Sequence, residues 1–369
     1  MTRATLIAVA LLVCLPVTAV GMPLRVPDKV FAHFVSQSAK RGVVFLRKHQ
    51  TPEGAWHHVG QQPNVPLTEE TIGTTALCAL ALLENGVDSD DPALVKATWL
   101  LRGRVKELTS THAIALSLQF LDRMTREDDG TLRMLGAKLL QGQHRNDIWG
   151  AHCPPLPGEM EDGRSTYLAI WSLYIARRHG VIVDQALQTV EKRFRSMQAA
   201  DGSWTWPSLP GAKEQAGPTL ACVGLLALAH GYREEVRPRI AVFTNEPVDP
   251  ALYLPPPALE PQVRKACEYL ARCLSVAHRP QHFDPDFLWM LERICWMYGK
   301  DKLQGVHCHG WGAKALIGAQ ARDGSWSRAG TTEVNTATAW ALLFLSQYPH
   351  EVIIGVCEFP LGIRQVKVK

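Results

Sequence analysis

Gln198-Ala199-Ala200-Asp201-Gly202-Ser203-Trp204 returns further along the chain as Gln320-Ala321-Arg322-Asp323-Gly324-Ser325-Trp326. A looser copy is Gln50-Thr51-Pro52-Glu53-Gly54-Ala55-Trp56, and a degenerate one ends at Trp149-Gly150 after Gln143. An identical four-residue word at a fixed offset from a glutamine points to a repeated structural unit. The four tryptophans are 93, 55 and 122 positions apart. Those gaps fit two, one and two units of roughly 45 to 60 residues, some of which have lost the motif.

Each copy closes a helical pattern: 42–50, 190–198 and 313–320 precede three of them. A glycine just past the last turn can take the left-handed conformation that stops a helix, and Asp-Gly is a strong turn former. The tryptophan then offers a large apolar face and one N–H donor to pin the corner against a neighbouring helix. Gln50, Gly54, Trp56, Trp149, Gln198, Asp201, Gly202, Trp204, Gln320, Asp323, Gly324 and Trp326 are therefore read as structural residues.

Outward from the corners, periodicity and breakers predict twelve helices. They lie near 28–49, 69–86, 91–106, 109–124, 130–142, 163–180, 184–198, 215–231, 259–275, 284–298, 308–320 and 334–348. The even-numbered ones are the more apolar, as in the run from Thr75 to Leu83 and that from Ala337 to Leu345. The odd ones carry charged faces such as Glu191, Lys192, Arg193 and Arg195. A helix apolar all round must be enclosed by protein, whereas an amphipathic one can face water. Six of each in alternation predict an all-α fold, a closed α/α toroid of about six helix pairs (an α6-α6 barrel), with an open solenoid as the competitor.

Composition leaves other classes aside. The 369 residues are 46% hydrophobic and 20% charged, with a net charge of +4 and no sustained block of Lys or Arg. That excludes disorder and gives no nucleic-acid surface. Arg3, the short apolar run Leu6 to Val20 broken by Pro16, and Ala19-Val20-Gly21 read as a signal peptide over 1–21. The expectation is an exported protein, periplasmic or secreted, with the toroid over 22–351 and no transmembrane segment after signal removal. Pro238 to Pro261 holds seven of the 24 prolines and is expected as an extended surface excursion. A tail over 352–369 follows, with a β-branched alternation that suits a short strand. Of the eight cysteines beyond Cys14, Cys78, Cys222 and Cys295 sit in apolar helical runs and read as buried thiols.

The exact motif copies and the alternating helices resemble the terpenoid cyclase and protein prenyltransferase superfamily. Arg164-Ser165-Thr166-Tyr167-Leu168-Ala169, His309-Gly310-Trp311 and Asn335-Thr336-Ala337 are more closely similar to exported planctomycete-type prenyltransferase and squalene-oxidase-repeat proteins of unassigned function. The resemblance implies the toroid; fold alone does not fix an activity. Squalene–hopene cyclases of this superfamily protonate an alkene with an Asp-x-Asp-Asp cluster. Asp88-Ser89-Asp90-Asp91 matches that word, yet Pro92 and an amphipathic helix follow it. Asp90 or Asp91 is thus expected to cap that helix. The Asp and Cys pair that holds zinc in prenyltransferases has no counterpart here.

Other chemistry is sparse. His307-Cys308-His309 is the one dense cluster of soft ligands. It is a weak candidate for zinc, since adjacent residues on a helix cannot converge on one ion; a loop is the expected setting. No cofactor is otherwise expected. His57-His58 is expected as exposed loop beside Trp56. In a closed toroid the inner helices all start at one mouth of the central space. His112, Asp162, Arg164, Asp284, Asp286 and Asn335 would gather there, with Glu69, Glu70, Thr71, Thr166, Thr219 and Thr336 alongside. Helix N-termini favour anions, and such a rim suits either acid–base work or a polar ligand. The same residue types are what helix capping selects. The expected function is a binding or scaffolding protein for a hydrophobic small molecule, a polysaccharide or a protein; the alternative is an enzyme acting on an isoprenoid or polysaccharide at this rim. An aromatic cavity of several hundred Å³ would favour the isoprenoid.

Overall fold

Apolar helices alternate with amphipathic ones along the whole computed structural model. It describes residues 28–57, 67–124, 129–206, 215–216, 218–236, 260–276, 284–298, 302–303, 306–327 and 333–346. Contacts divide the chain into Met1–Phe34 and Val35–Lys369. Only the opening of the first helix is described in the former, and the ring lies in the latter. The helices are α1 (Asp28–Lys48), α2 (Glu69–Glu84), α3 (Pro92–Arg104), α4 (Thr111–Met124), α5 (Asp129–Gln141) and α6 (Gly163–Arg178). They continue as α7 (Asp184–Met197), α8 (Pro218–Val236), α9 (Pro261–Val276), α10 (Pro285–Met297), α11 (Cys308–Ala319) and α12 (Val334–Leu345). Two antiparallel ribbons sit between helices: β1 (Thr205–Trp206) with β2 (Gln215–Ala216), and β3 (Lys302–Leu303) with β4 (Val306–His307).

The even helices form the inner layer. α2 packs on α4, α4 on α6, α6 on α8, α8 on α10, α10 on α12, and α12 returns to α2. The ring is closed. In α2, every residue from Thr71 to Leu82 is buried, and α12 is buried from Ala337 to Leu345. Outside, α3 covers α2, α5 lies against α4 and α6, α7 and α9 cover α8, and α11 lies against α10 and α12. From Val35 onward α1 completes the outer layer: a Cβ at Gly42 would fall 2.8 Å from the Trp326 ring and 2.9 Å from Leu342.

The four tryptophan corners share one geometry. Each indole N–H donates to the carbonyl ten residues earlier: Trp56 to Leu46, Trp149 to Leu139, Trp204 to Phe194 and Trp326 to Leu316, at 2.6–2.8 Å. All four rings are fully buried. Each glutamine amide donates both across its own corner and to the next outer helix. Gln50 reaches Ala93 in α3, Gln143 reaches Ala186 in α7, Gln198 reaches Gln262 in α9, and Gln320 reaches Ser38 in α1. The last of these closes the outer layer.

Gly54, Gly202 and Gly324 hold φ of 96°, 90° and 94°. Their bare α-carbons press on the next outer helix, so that a Cβ at Gly324 would meet the Arg41 carbonyl at 2.6 Å. In the degenerate copy Asp147 fills this place with φ 71°, a conformation that Asp tolerates better than most residues. The corners follow α1, α5, α7 and α11, which is the two, one, two spacing read from the tryptophans. At the bare α3–α5 junction, the Lys138 ammonium donates to the Lys106 and Leu108 carbonyls instead, both at 2.8 Å.

The segment 1–21 read as a signal peptide, most of the Pro-rich stretch, the tail and Cys357 lie outside the described residues. No described helix is long and apolar enough to cross a membrane. Cys78, Cys153, Cys222, Cys295 and Cys308 are buried, and no disulfide occurs among the described residues. Burial pushes the Cys78 and Cys222 thiols well up.

Candidate functional site

Parallel inner helices give the ring two unlike ends. At one, the first turns of α2, α4, α6, α10 and α12 surround a cavity of about 470 Å³, within the ~300–1,000 Å³ range of small-molecule sites. Its outer tier is polar: Glu69 and Glu70 from α2, Ser110 and His112 at the start of α4, Arg164 from α6, Asp286 from α10, Glu333 and Thr336 at α12. One helical turn inward the wall becomes apolar, with Leu77, Leu116, Leu168 and Met290 beside Trp289 and Trp340. The two indoles lie 4.9 Å apart between centroids, tilted by 48°. Tyr167 and Trp171 meet Trp289 edge-on behind the wall.

Local chemistry fixes each rim group. Arg164 reaches past α8 to bridge two carboxylates at the start of α10, Asp284 and Asp286, each at 2.9 Å. Glu69 turns to the start of α4, accepting from the Thr109 amide at 2.9 Å and hydroxyl at 2.8 Å and from the Ser110 amide. Asp162 caps α6, accepting from the Ser165 amide at 2.7 Å. His112 places Nδ1 3.3 Å from the Ser165 hydroxyl. Burial depresses the imidazole pKa below its usual value; the Asp162 charge opposes that and Arg164 adds to it. Burial therefore favours the neutral ring. Glu333 makes no side-chain cap on α12.

Of the six rim candidates, His112, Arg164 and Asp286 line the cavity and Asp284 reaches it through Arg164. Asp162 and Asn335 do not line it. Asn335 is buried, donating to the His57 carbonyl at 2.6 Å. This anchors His57 to α12, where an exposed loop was expected. Thr166 faces outward, exchanging hydrogen bonds with the Trp149 backbone, and Thr71 is buried. Glu333, Ser110, Trp289 and Trp340 were not anticipated. The signal for the aromatic tier was present: Trp289 follows Asp286 by three positions and Trp340 follows Thr336 by four, the spacing that keeps residues on one helix face.

Asp91 caps α3 with Pro92 behind it, accepting from the Ala93 amide at 2.9 Å, so the Asp-rich word lies outside the cavity wall. The soft-ligand cluster is dispersed. His307 is exposed and caps α11, accepting from the Gly310 amide. Cys308 and His309 lie in the helix rather than a loop. His309 turns inward to hydrogen-bond Glu292 and stacks on Phe344 with centroids 4.7 Å apart. Burial raises the Glu292 pKa, against the pull of His309. Among the described residues no three His, Cys, Asp or Glu side chains are placed to hold a metal ion.

At the other end of the ring the last turns of the inner helices close up around about 30 Å³ of space. Arg123 pairs with Glu84 at 2.9 Å, and Asp122 holds Arg178 at 2.7 Å and His179 at 2.8 Å. Basic groups near helix C-termini also complement the helix dipole.

No protein-family model and no curated protein matches the chain. Solved structures do. The type II terpene cyclase MstE from Scytonema matches with a TM-score of 0.54 at 14% identity, over 85% of this chain and 98% of the cyclase. A variant of that cyclase in complex with geranylgeranyl dihydroxybenzoate matches with 0.54 at 13%, over 86% and 98%. An unsaturated glucuronyl hydrolase specific for heparin matches with 0.56 at 12%, over 86% and 97%. At these identities the likeness is one of fold, and the chain has the terpenoid-cyclase-like α/α toroid.

Proposed function

We propose that this chain is an exported toroid that binds a small amphipathic molecule of isoprenoid type, chain inward and polar head at the rim, without cyclising it. One observation carries the reading: a cavity of about 470 Å³ with a tryptophan and aliphatic wall under a polar ring. An apolar chain gains by leaving water for that wall, while the ring leaves a head group its hydrogen bonds. Geranylgeranyl dihydroxybenzoate, the ligand of the cyclase complex, is of this amphipathic kind. Against cyclisation stands the commitment of four of the acids at this end. Glu69 accepts from α4, Asp162 from α6, and Asp284 and Asp286 from Arg164. Glu69 and Asp286 line the cavity but are held as acceptors by these partners, and Asp162 and Asp284 do not line it. Export rests on the charged start and short apolar run of residues 1–21.

Titration of the purified chain with farnesol and geranylgeraniol, read by tryptophan fluorescence, should saturate. Trp340→Ala should weaken that binding at least tenfold, and the recovered alcohol should be unchanged. Saturation by heparin-derived oligosaccharides alone, or recovery of a cyclised product, would overturn the proposal. A second reading, an enzyme at the rim, has His112 in its favour: a neutral imidazole on the cavity wall is what a general base requires. It predicts an activity that His112→Ala abolishes under conditions where the variant remains folded.

A further inference from the structure

The narrow end of the ring contains a cation that forms no ion pair among the described residues. Arg293 lies on α10 one turn beyond Trp289 and is 6% exposed. Its guanidinium stacks over Trp171 and Trp289, 5.7 and 5.5 Å from the ring centroids. Its Nε is buried and has no hydrogen-bond partner. Among the described residues the carboxylates of this end bond elsewhere: Glu84 to Arg123, Asp122 to Arg178 and His179, and the adjacent Glu292 to His309 through one oxygen, its charge attracting Arg293 without a hydrogen bond between them. A buried guanidinium carries up to five donors, and leaving such a charge unpaired is costly. Cation–π contact offsets part of this cost, yet it satisfies no N–H group.

The same guanidinium lines the void of about 30 Å³ at this end. A void needs roughly 10–15 Å³ of this kind to hold one water-sized species. The room suits a monatomic ion or a single carboxylate and is too small for a sugar, a phosphate ester or an isoprenoid. Arg123 lines the void as a second positive group, and the Glu84 and Asp122 carboxylates that also line it are held by Arg123 and by Arg178 with His179, which leaves Arg293 as the unpaired charge of the lining.

We propose that Arg293 and the void it lines form a binding site for one small monovalent anion, a halide or a single carboxylate, at the end of the ring opposite the large cavity. The ion supplies an acceptor to the orphaned Nε of Arg293. Trp289 lines both spaces. Occupancy therefore fixes the guanidinium on which the floor of the large cavity rests. The inference does not depend on what that cavity binds.

The test is thermal unfolding of the full chain at constant ionic strength, with sodium gluconate replaced stepwise by sodium chloride in one arm and sodium formate in the other. The melting temperature should rise saturably, by about 3 °C at a hundredfold excess over the dissociation constant. A rise in the chloride arm alone identifies a halide, and a rise in the formate arm a carboxylate. Bromide, a heavy-atom quencher, should reduce tryptophan emission saturably in the wild-type chain. Arg293→Met should lose both responses. An equal melting temperature in all three salts would overturn the proposal without recourse to any variant, as would an Arg293→Met chain that keeps the rise. Neither outcome touches the isoprenoid titration, so the two readings fail separately.

Discussion

The two ends of the ring use the same elements to opposite effect. Where the inner helices begin, a space of about 470 Å³ stays open; where they finish, about 30 Å³ remains. The difference lies in what braces each end. The tryptophan corners precede the inner helices and so stand around the open end, where they lock the outer layer from behind. Side chains facing the cavity are thereby released from holding the ring together. The narrow end has no such corners, and its ion pairs join one helix to the next directly. Arg178 and His179 at the end of α6 meet Asp122 of α4, and Arg123 of α4 meets Glu84 of α2.

That division of labour can be broken at either end. Trp326→Ala removes a fully buried indole and the corner that returns α11 to α1, and should cost about 3–5 kcal/mol. Denaturant midpoints would measure it, and a loss under 1 kcal/mol would mean that the corners do not carry the ring. Asp122→Ala strips two partners at the narrow end. Its carboxylate is nearly buried while Arg178 and His179 are partly wet, so about 2–3 kcal/mol is expected by the same measurement. The open end should be more tolerant, and unevenly so. Glu69→Ala deletes the acceptor of two amides at the start of α4 and should cost about 1 kcal/mol. Glu333→Ala, which deletes no cap, should stay within about 0.5 kcal/mol. Equal costs at Glu69 and Glu333 would erase the distinction between a rim acid that builds the wall and one left for a ligand.

The same division explains what could be read from the sequence. Corners are local: a helix end, a left-handed residue and an indole within seven positions, so Gln198 to Trp204 carries its own geometry. Ring closure followed from counting helices of two kinds. The degenerate corner showed only as Trp149, because Asp147 replaces the glycine that marks the others. The cavity was half legible. Helix direction places His112, Arg164 and Asp286 at one end, but capping draws on the same residue types, and only coordinates show Asp162 turned to its own helix and Asn335 buried against His57. Trp289 and Trp340 were hidden among other apolar residues of α10 and α12. The partner of Arg164 is 120 positions away, a pairing that no local pattern announces.

Two histidines, one at each end, should give opposite pH signatures. At the narrow end His179 hydrogen-bonds Asp122, which raises its pKa above 6.5 against the effect of burial, and Asp129 adds to the rise. The folded chain thus holds that proton more tightly than the unfolded one. Its contribution is complete below the unfolded value and disappears as pH climbs through the folded value. At the open end, burial lowers the His112 pKa below 6.5. The unfolded chain then binds the proton more readily, so this contribution is present above the unfolded value and is lost as pH falls through the folded one. Melting curves from about pH 5 to about pH 8, the span over which histidine titrates, separate the two. His179→Asn should lower stability most on the acid side and converge with wild type on the alkaline side. His112→Asn should differ from wild type more above neutrality than below it. Parallel curves for either variant would mean that the two ends do not hold their imidazoles in different charge states.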